Sequence, residues 1–361
     1  MLNDKQTAIY DVKNLTDEML RRAEVLGEAE AIQLTRAALD AVEEAAGVIR
    51  RGGLVAFPTE TVYGLGADAF NEEAVRRVYA AKGRPSDNPM IVHLARASDV
   101  GALAAALTPD TVRLIEGFWP GPLTLVMKKK ADVPAAVTGG LDTVAVRMPD
   151  DPVALALIRE AGTPIAAPSA NLSGRPSPTT AEHVLRDLNG RADAILAGNP
   201  CRIGIESTVL DLSEGVPVIL RPGFVTADAI SALLGKPVEL DPSLREADGG
   251  AGQAPKAPGM KYRHYAPEAE MIVLEGRRDR VKSEMERLKA LNERLGRRVG
   301  TLLFEEKAFL EAAHTLFAEL RALDDGGADL IIAGALSADD ELGFAVMNRM
   351  MKAAGYNIIR V

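Results

Sequence analysis

The chain has 361 residues, 47% hydrophobic and 26% charged, with 42 Lys+Arg against 51 Asp+Glu and a formal net charge of −9. Such a chain is globular, sized for about two domains, and neither disordered nor fibrous; no run approaches the ~20 apolar residues of a membrane span, and the single cysteine, Cys201, excludes a disulfide framework or a set of Cys metal ligands. The polar, acidic start reads as neither a secretory signal nor a transit peptide, so the expected compartment is the reducing cytoplasm, and net acidity makes nucleic acid a poor first guess for a ligand.

Residues 16–50 read as helical: Leu20, Ala23 and Leu26 recur at a spacing of three and Ile32, Leu34 and Leu39 carry the apolar pattern on, with Thr16 as a start and Arg51-Gly52-Gly53 as a stop. LVAFPT follows as a strand, then a helix over 72–82, the strand MIVHLA (90–95), a helix over 109–117, and the strands LTLVMKK (123–129) and TVAVRMP (143–149). A helix over 152–161, the buried strand PIAAPS (164–169), a helix over 180–188 and the strands ADAILAG, STVLDLS and PVILRPG complete a mixed α/β unit. Residues 237–268 are rich in Pro and Gly and lack apolar periodicity, which marks a linker that joins two domains or covers a site. Residues 269–361 alternate strand and helix, the pattern of a small parallel open sheet. Residues 1–49 carry a net −5, residues 50–236 a net −1 and residues 237–361 a net −3, so the central unit can hold a locally positive site.

Generic catalytic motifs are absent: there is no P-loop, no full G-x-G-x-x-G, no H-E-x-x-H and no G-x-S-x-G. The four histidines are scattered, so a protein-held zinc or iron site is not expected. Several loops at strand ends instead gather polar and basic residues. Pro58 to Gly66 offers hydroxyls and flexible backbone, as a ligand loop or a plain turn. Lys82-Gly83-Arg84 places two cations around a glycine, suited either to phosphate oxygens or to a helix C-cap. Ala167 to Pro178 supplies three serines and an asparagine, and Gly204 to Val209 precedes Arg221-Pro222-Gly223 by one strand. Arg147 closes an apolar strand, either as an ordinary strand-end arginine or waiting for an anion. His93 by itself reads as a half-buried histidine, and Trp119 as part of a packed turn.

Taken in order, PTETVYGLG, KGRPSDNPMIVH, FWPGPLTLV, VAVRMP, APSANLSGRPSPT, GIESTVLDL and LRPG closely resemble the YrdC/Sua5 family, and PGMKYRHYAP with an α/β tail resembles its longer, Sua5-type members. The resemblance covers about residues 40–361. It implies a fold with a YrdC-like twisted mixed sheet and helices, joined by a long linker to a small Rossmann-like α/β domain. The expected divisions are an N-terminal helical extension (1–40), a catalytic domain (41–236), a linker covering the active site (237–268) and a C-terminal domain (269–361).

The implied activity is that of a threonylcarbamoyl-AMP synthase, a nucleotidyltransferase that condenses L-threonine, bicarbonate or CO2 and ATP with release of pyrophosphate, for t6A modification of tRNA. Lys82, Arg84, Ser169 and Asn171 match the signature around the phosphates. Arg84, Asn88, Thr143, Ser169, Ser177 and Arg221 would contact ATP, and Tyr265 is chosen over Tyr262 and His264 as the linker aromatic on the nucleotide. Thr61, His93, Arg147, Ala167 through its backbone, and Ser207 would hold threonine. Mg²⁺ is expected with the ATP, without ligands assigned to the protein. The downstream transferase complex is a candidate partner, direct tRNA contact stays open, and no membrane partner is expected. Two other readings compete with this one. A non-catalytic RNA-binding module is disfavoured by the near-neutral central segment. A carbamoyltransferase of hydrogenase maturation would bring Cys-rich zinc fingers that one cysteine cannot supply.

Overall fold

The structure, a computed structural model, describes residues 6–13, 29–244 and 264–361. The expected helix start at Thr16 and the aromatic Tyr262 lie outside the described residues. The larger unit is built on an eleven-stranded mixed sheet. Its strands are β1 (Ala8–Asp11), β2 (Val55–Phe57), β3 (Gly64–Asp68), β4 (Ile91–His93), β5 (Leu123–Lys128), β6 (Thr143–Arg147), β7 (Ile165–Ala167), β8 (Ala194–Ala197), β9 (Thr208–Asp211), β10 (Val218–Arg221) and β11 (Glu239–Leu240). They lie side by side in the order β1-β8-β2-β3-β7-β4-β6-β5-β9-β10-β11. Its helices are α1 (Ala29–Arg50), α2 (Glu72–Lys82), α3 (Pro109–Phe118), the single turn α4 (Ala135–Thr138), α5 (Pro152–Ala161), α6 (Ala181–Leu188) and α7 (Ala227–Leu234).

Period-two alternation decides which residues meet which helices. Val55, Phe57, Ala194 and Leu196 pack with Val42, Ala46 and Ile49 of α1 and Leu157 of α5. Their neighbours Leu54, Ala56 and Ile195 face the opposite layer, with Val78 of α2, Leu114 of α3 and Val184 of α6. Asn71, Thr108, Asp151, Thr180 and Thr226 each cap a helix by accepting backbone N–H bonds, as short polar residues at these positions do.

The second unit is an all-parallel sheet of β12 (Glu270–Glu275), β13 (Val299–Leu302), β14 (Leu330–Gly334) and β15 (Ile358–Arg360), in the order β13-β14-β12-β15. Its helices are α8 (Arg278–Arg294), α9 (Phe309–Asp325) and α10 (Glu341–Ala353). Ile272, Leu274 and Ile332 pack on Val281 and Met285 of α8. Met271, Val273 and Ile331 pack on α9 and α10 through Phe317, Leu320, Val346 and Met350. The small parallel sheet read from alternating strands and helices is therefore present. Among the described residues no helix is long and apolar enough to cross a membrane.

Three expectations need correction. Residues 8–11 of the proposed helical extension are a strand, paired in parallel with β8. A tetrapeptide edge strand leaves too short a pattern to separate from helix. Gly64–Asp68, read as loop, is a strand antiparallel to β2. Its glycines lower strand propensity, yet a Cβ on Gly66 would stand 2.5 Å from Ile165 Cγ2 and 2.7 Å from Phe57 Cε1, so close packing requires them. The catalytic sheet also runs past the compositional break at 237, since β11 pairs with β10.

The two units share buried surface. Val62 and Ile205, from the PTETVYGLG and GIEST loops, belong to the same apolar cluster as Tyr265 and Phe317. Arg321 of α9 donates to both carboxylate oxygens of Asp187, at 3.2 and 2.7 Å, and to the Pro176 carbonyl at 2.6 Å. The Glu341 carboxylate of α10 accepts from the backbone N–H groups of Ala227 and Asp228, supplementing the cap of α7 from the other unit.

Candidate active site

Strand register brings the first site residues together. β4 and β6 are parallel, and His93 lies opposite Arg147. β4 also pairs with β7, setting Ile91 opposite Ala167. Ile91, His93, Arg147 and Ala167 line one cavity with Thr61, Arg84, Ser169, Asn171, Arg175, Ser177, Glu206, Ser207, Arg221, His264 and Tyr265. Motifs from all parts of the larger unit thus meet at one place.

Arg147 is buried and heavily engaged. It donates to Thr61 Oγ1 at 2.9 Å and to the Gly121 carbonyl at 3.2 Å, and pairs with Glu60 at 2.6 Å. Glu60 does not line the cavity; it stands behind Arg147 and fixes the guanidinium. Burial, reinforced by the Arg147 charge, pulls the His93 pKa down to about 3, so the ring is neutral.

Arg221, at the end of β10, donates to the Ser207 carbonyl at 3.0 Å and to Ser207 Oγ at 3.1 Å. Ser207 Oγ also lies 2.7 Å from Thr124 Oγ1. Arg84 follows α2 through Gly83, whose left-handed φ of 64° closes that helix. Its guanidinium donates to the carbonyls of Asn88 and Pro89, at 3.3 and 2.9 Å. Burial lowers the Arg84 pKa to about 10 and that of Arg221 in the same direction. Both remain cations at neutral pH, in a setting where charge is poorly screened.

Three of the named residues do not reach the cavity wall. Lys82 is buried, and its ammonium is taken up by the Ser169 and Asn171 carbonyls and by Asn171 Oδ1. It holds the serine-rich loop in shape. Asn88 is also buried, with no partner for its side-chain amide among the described residues, and its carbonyl serves Arg84 and Tyr79. Thr143 begins β6 opposite Lys128. Asn171 lines the cavity but also braces its own loop, donating to the Leu172 and Arg175 carbonyls and accepting from Ser169 Oγ.

The linker end closes over these groups. Ala266 N–H donates to the Gly174 carbonyl at 2.7 Å, and Glu268 pairs with Arg175. Tyr265 takes a left-handed φ of 65° and stacks on Phe317 with ring centroids 5.2 Å apart. Beside His264 it leaves a cavity of only about 60 Å³. Tyr265 was the sequence choice among the linker aromatics, and His264 lines the wall as well.

Glu206 and Arg349 carry no assignment from the sequence. Glu206 lines the cavity, accepts from Ser177 Oγ at 2.5 Å, and accepts from Arg349 Nε at 3.1 Å. Arg349 comes from α10 of the second unit, is fully buried, and also donates to the Glu206 and Pro222 carbonyls. Burial works to raise the Glu206 pKa, but Arg349 and Arg221 with the Ser177 hydroxyl outweigh it and hold the carboxyl below its ordinary value. The only sequence signal for Glu206 was its place within GIEST; a partner 143 residues away leaves no local trace. Among the described residues there is no group of three or more His, Cys, Asp or Glu able to hold a metal ion.

Two family models match the chain. One, described as "Telomere recombination", covers residues 47–223, and one described as "Threonylcarbamoyl-AMP synthase, C-terminal domain" covers residues 225–355. A threonylcarbamoyl-AMP synthase of Pyrococcus abyssi is 50% identical over 327 residues, spanning 88% of this chain and 95% of the relative. One of Bacillus subtilis is 47% identical over 336 residues, spanning 88% and 94%. Among solved structures, P. abyssi Sua5 complexed with L-threonine matches with a TM-score of 0.85 at 48% identity, covering 90% of this chain and 96% of that one. A doubly alanine-substituted variant of the same protein matches with a TM-score of 0.87 at 44% identity, covering 98% of both chains.

Proposed function

The chain belongs to the Sua5 family of threonylcarbamoyl-AMP synthases, and from that premise we propose that it joins L-threonine, bicarbonate or CO2, and ATP into threonylcarbamoyl-AMP and pyrophosphate. The observation that carries this reading is the convergence of Arg84, Arg147 and Arg221 with the hydroxyls of Thr61, Ser169 and Ser207 on one cavity. The reaction class is nucleotidyl transfer, and the product serves t6A modification of tRNA. Cytoplasmic location belongs to the same proposal.

The chemistry asks for charge and position more than for a strong base. The neutral threonine amine takes up CO2, a C–N bond forms and the amine proton passes to solvent, which leaves a carbamate that is already anionic. A carbamate oxygen attacks the α-phosphorus, one P–O bond forms, the bond to the bridging oxygen breaks, and pyrophosphate departs. Transfer of this kind depends on alignment and on fixed cations around the phosphoryl oxygens. Arg84 and Arg221 are suited to that task, and Arg147 to the threonine carboxylate as a planar fork. Glu60 keeps the Arg147 fork oriented, and Lys82 and Asn171 keep the Ser169 loop shaped. Neutral His93 offers hydrogen bonding without a competing charge.

Mg²⁺ would arrive on the ATP phosphates. Glu206, the carboxylate on the cavity wall, is engaged by Arg349 and Ser177, so no step here relies on a protein-held metal. A cavity of about 60 Å³ is far below the roughly 300–1,000 Å³ of ordinary ligand sites. Nucleotide binding therefore requires His264 and Tyr265 to shift from the wall.

The test is pyrophosphate release that depends on both threonine and bicarbonate. Folded protein that releases none overturns the proposal. Arg84→Ala is expected to lower turnover by about 10²-fold or more with the fold retained; wild-type turnover would remove Arg84 from the phosphate site.

A further inference from the structure

The second unit contains a cavity that takes no part in the chemistry above. β12 runs into α8 on one face of the sheet, while its neighbour β14 runs into α10 on the other. Where adjacent parallel strands send their loops in opposite directions, a crevice opens at their carboxyl ends, and open α/β sheets bind ligands there. In this chain that crevice is a cavity of about 930 Å³, bounded by Glu275 and Gly276 after β12 and by Ala335 to Ser337 after β14. Its size falls in the range of roughly 300–1,000 Å³ that holds small molecules.

The wall specifies a ligand with two different ends. α8 and α9 are each 17 residues long, and neither has a side-chain cap at its N-terminus. The α9 start therefore presents backbone N–H groups to an anion, whereas at the α8 start the Asp279 carboxylate already accepts from the Asp279 and Arg280 N–H groups. Lys307, just before α9, lines the same cavity, as does Arg278 at the start of α8, whose guanidinium donates to the Phe304 carbonyl at 2.8 Å and pairs with Glu305 at 2.7 Å. The Glu275 carboxylate is matched by Arg360 at 2.9 Å, leaving Glu306 and Asp339 as the other acids on the wall. Away from the helix starts, Phe344 and Met347 of α10 form an apolar surface.

Asn348 adds an independent indication. It is only 7% exposed, it lines the cavity, and its side-chain amide has no hydrogen-bond partner among the described residues. Its amide atoms are not sealed off, so they offer a donor and an acceptor together to a ligand in the cavity.

We propose that this cavity is a second, non-catalytic nucleotide site. The phosphate lies at the start of α9 beside Lys307, with Arg278 on the facing wall. The base lies against Phe344 and Met347, and Asn348 bonds its polar edge. The site is independent of the reaction proposed above, although α10 places Asn348 in this cavity and the next residue, Arg349, on Glu206.

The experiment is equilibrium dialysis of the full chain with ADP at millimolar concentration, carried out on Arg221→Ala so that the catalytic cavity is disabled. One ADP per chain is expected in that variant. Adding Lys307→Glu, an exposed change that does not endanger folding, is expected to weaken it at least tenfold. Asn348→Leu, with its fold checked by thermal melting, is expected to do the same. No ADP binding to Arg221→Ala overturns the proposal, and so does binding that stays within twofold in both added variants. Neither outcome bears on pyrophosphate release by the unsubstituted chain, so the two readings fail separately.

Discussion

Arg349→Met tests whether the second unit is part of the catalytic architecture. The substitution keeps an unbranched side chain of similar reach on α10 and removes the charge. Four contacts go with it: to Glu206 Oε2 at 3.1 Å, to the Glu206 carbonyl at 3.3 Å, to Ala345 O at 3.2 Å, and to the Pro222 carbonyl. Glu206 is left buried, with its Ser177 hydrogen bond but without its ion partner. Removing one member of a buried pair costs about 3–5 kcal/mol, and each orphaned buried carbonyl adds about 1–3 kcal/mol before local relaxation. The expected loss, from urea denaturation, is therefore about 5 kcal/mol or more. Glu206→Gln in the same background removes the stranded charge and should recover about 2 kcal/mol. A double-mutant cycle reads that recovery directly. If the two changes add within about 0.5 kcal/mol, Glu206 and Arg349 are not coupled and the assignment fails. Pyrophosphate release should fall with Arg349→Met even where the protein remains folded, because Ser177 depends on the same carboxylate.

Three other outcomes are expected. Tyr265→Ala removes the ring that, once shifted from its stack on Phe317, is proposed to lie on the nucleotide, and should weaken ATP binding more than threonine binding by calorimetry; an unchanged ATP dissociation constant would reduce Tyr265 to a contact between units. His93 and His264 are buried with pKa values of about 3, so the unfolded chain binds more protons than the folded one below pH ~6.5. Stability should be level above that pH from these groups and fall as pH drops toward 3, by up to about 1.4 kcal/mol per pH unit for each. His93→Gln should remove about half of that slope, and denaturation curves that show the same slope in this variant refute the assignment. Gly66→Ala places a methyl against Ile165 and Phe57 and should cost about 1–3 kcal/mol by overpacking; a neutral effect on the urea midpoint would show that these neighbours yield freely.

Local patterning carried much of the architecture. The β8, β9 and β10 strands were readable as short apolar runs buried almost throughout, and the second unit as strands alternating with helices. The resemblance grouped the site loops, and most of their named residues do line one cavity. Where reading failed, the cause was distance along the chain. Lys82 is positively charged and adjacent to Arg84, yet its ammonium turns to the carbonyls of Ser169 and Asn171, a contact 87 and 89 residues away. Glu60 and Glu206 lay inside quoted motifs without a role, because their partners Arg147 and Arg349 enter from other elements. β3 was hidden by glycines chosen for packing, and β1 by its brevity.

The pairing of β1 with β8 has a consequence for synthesis. Thr7 Oγ1 donates to the Ala192 carbonyl and Ala8 lies opposite Ala194, so this edge is complete only after nearly two hundred residues have followed. At about 5–20 residues per second, the N-terminal segment leaves the ribosome about 10–40 s before its partner strand does. Through that interval a short strand with exposed backbone must avoid pairing with another nascent chain. Its four-residue length and the closing Asp11 limit that risk, and they make strand addition at β8 a late step of folding on the ribosome.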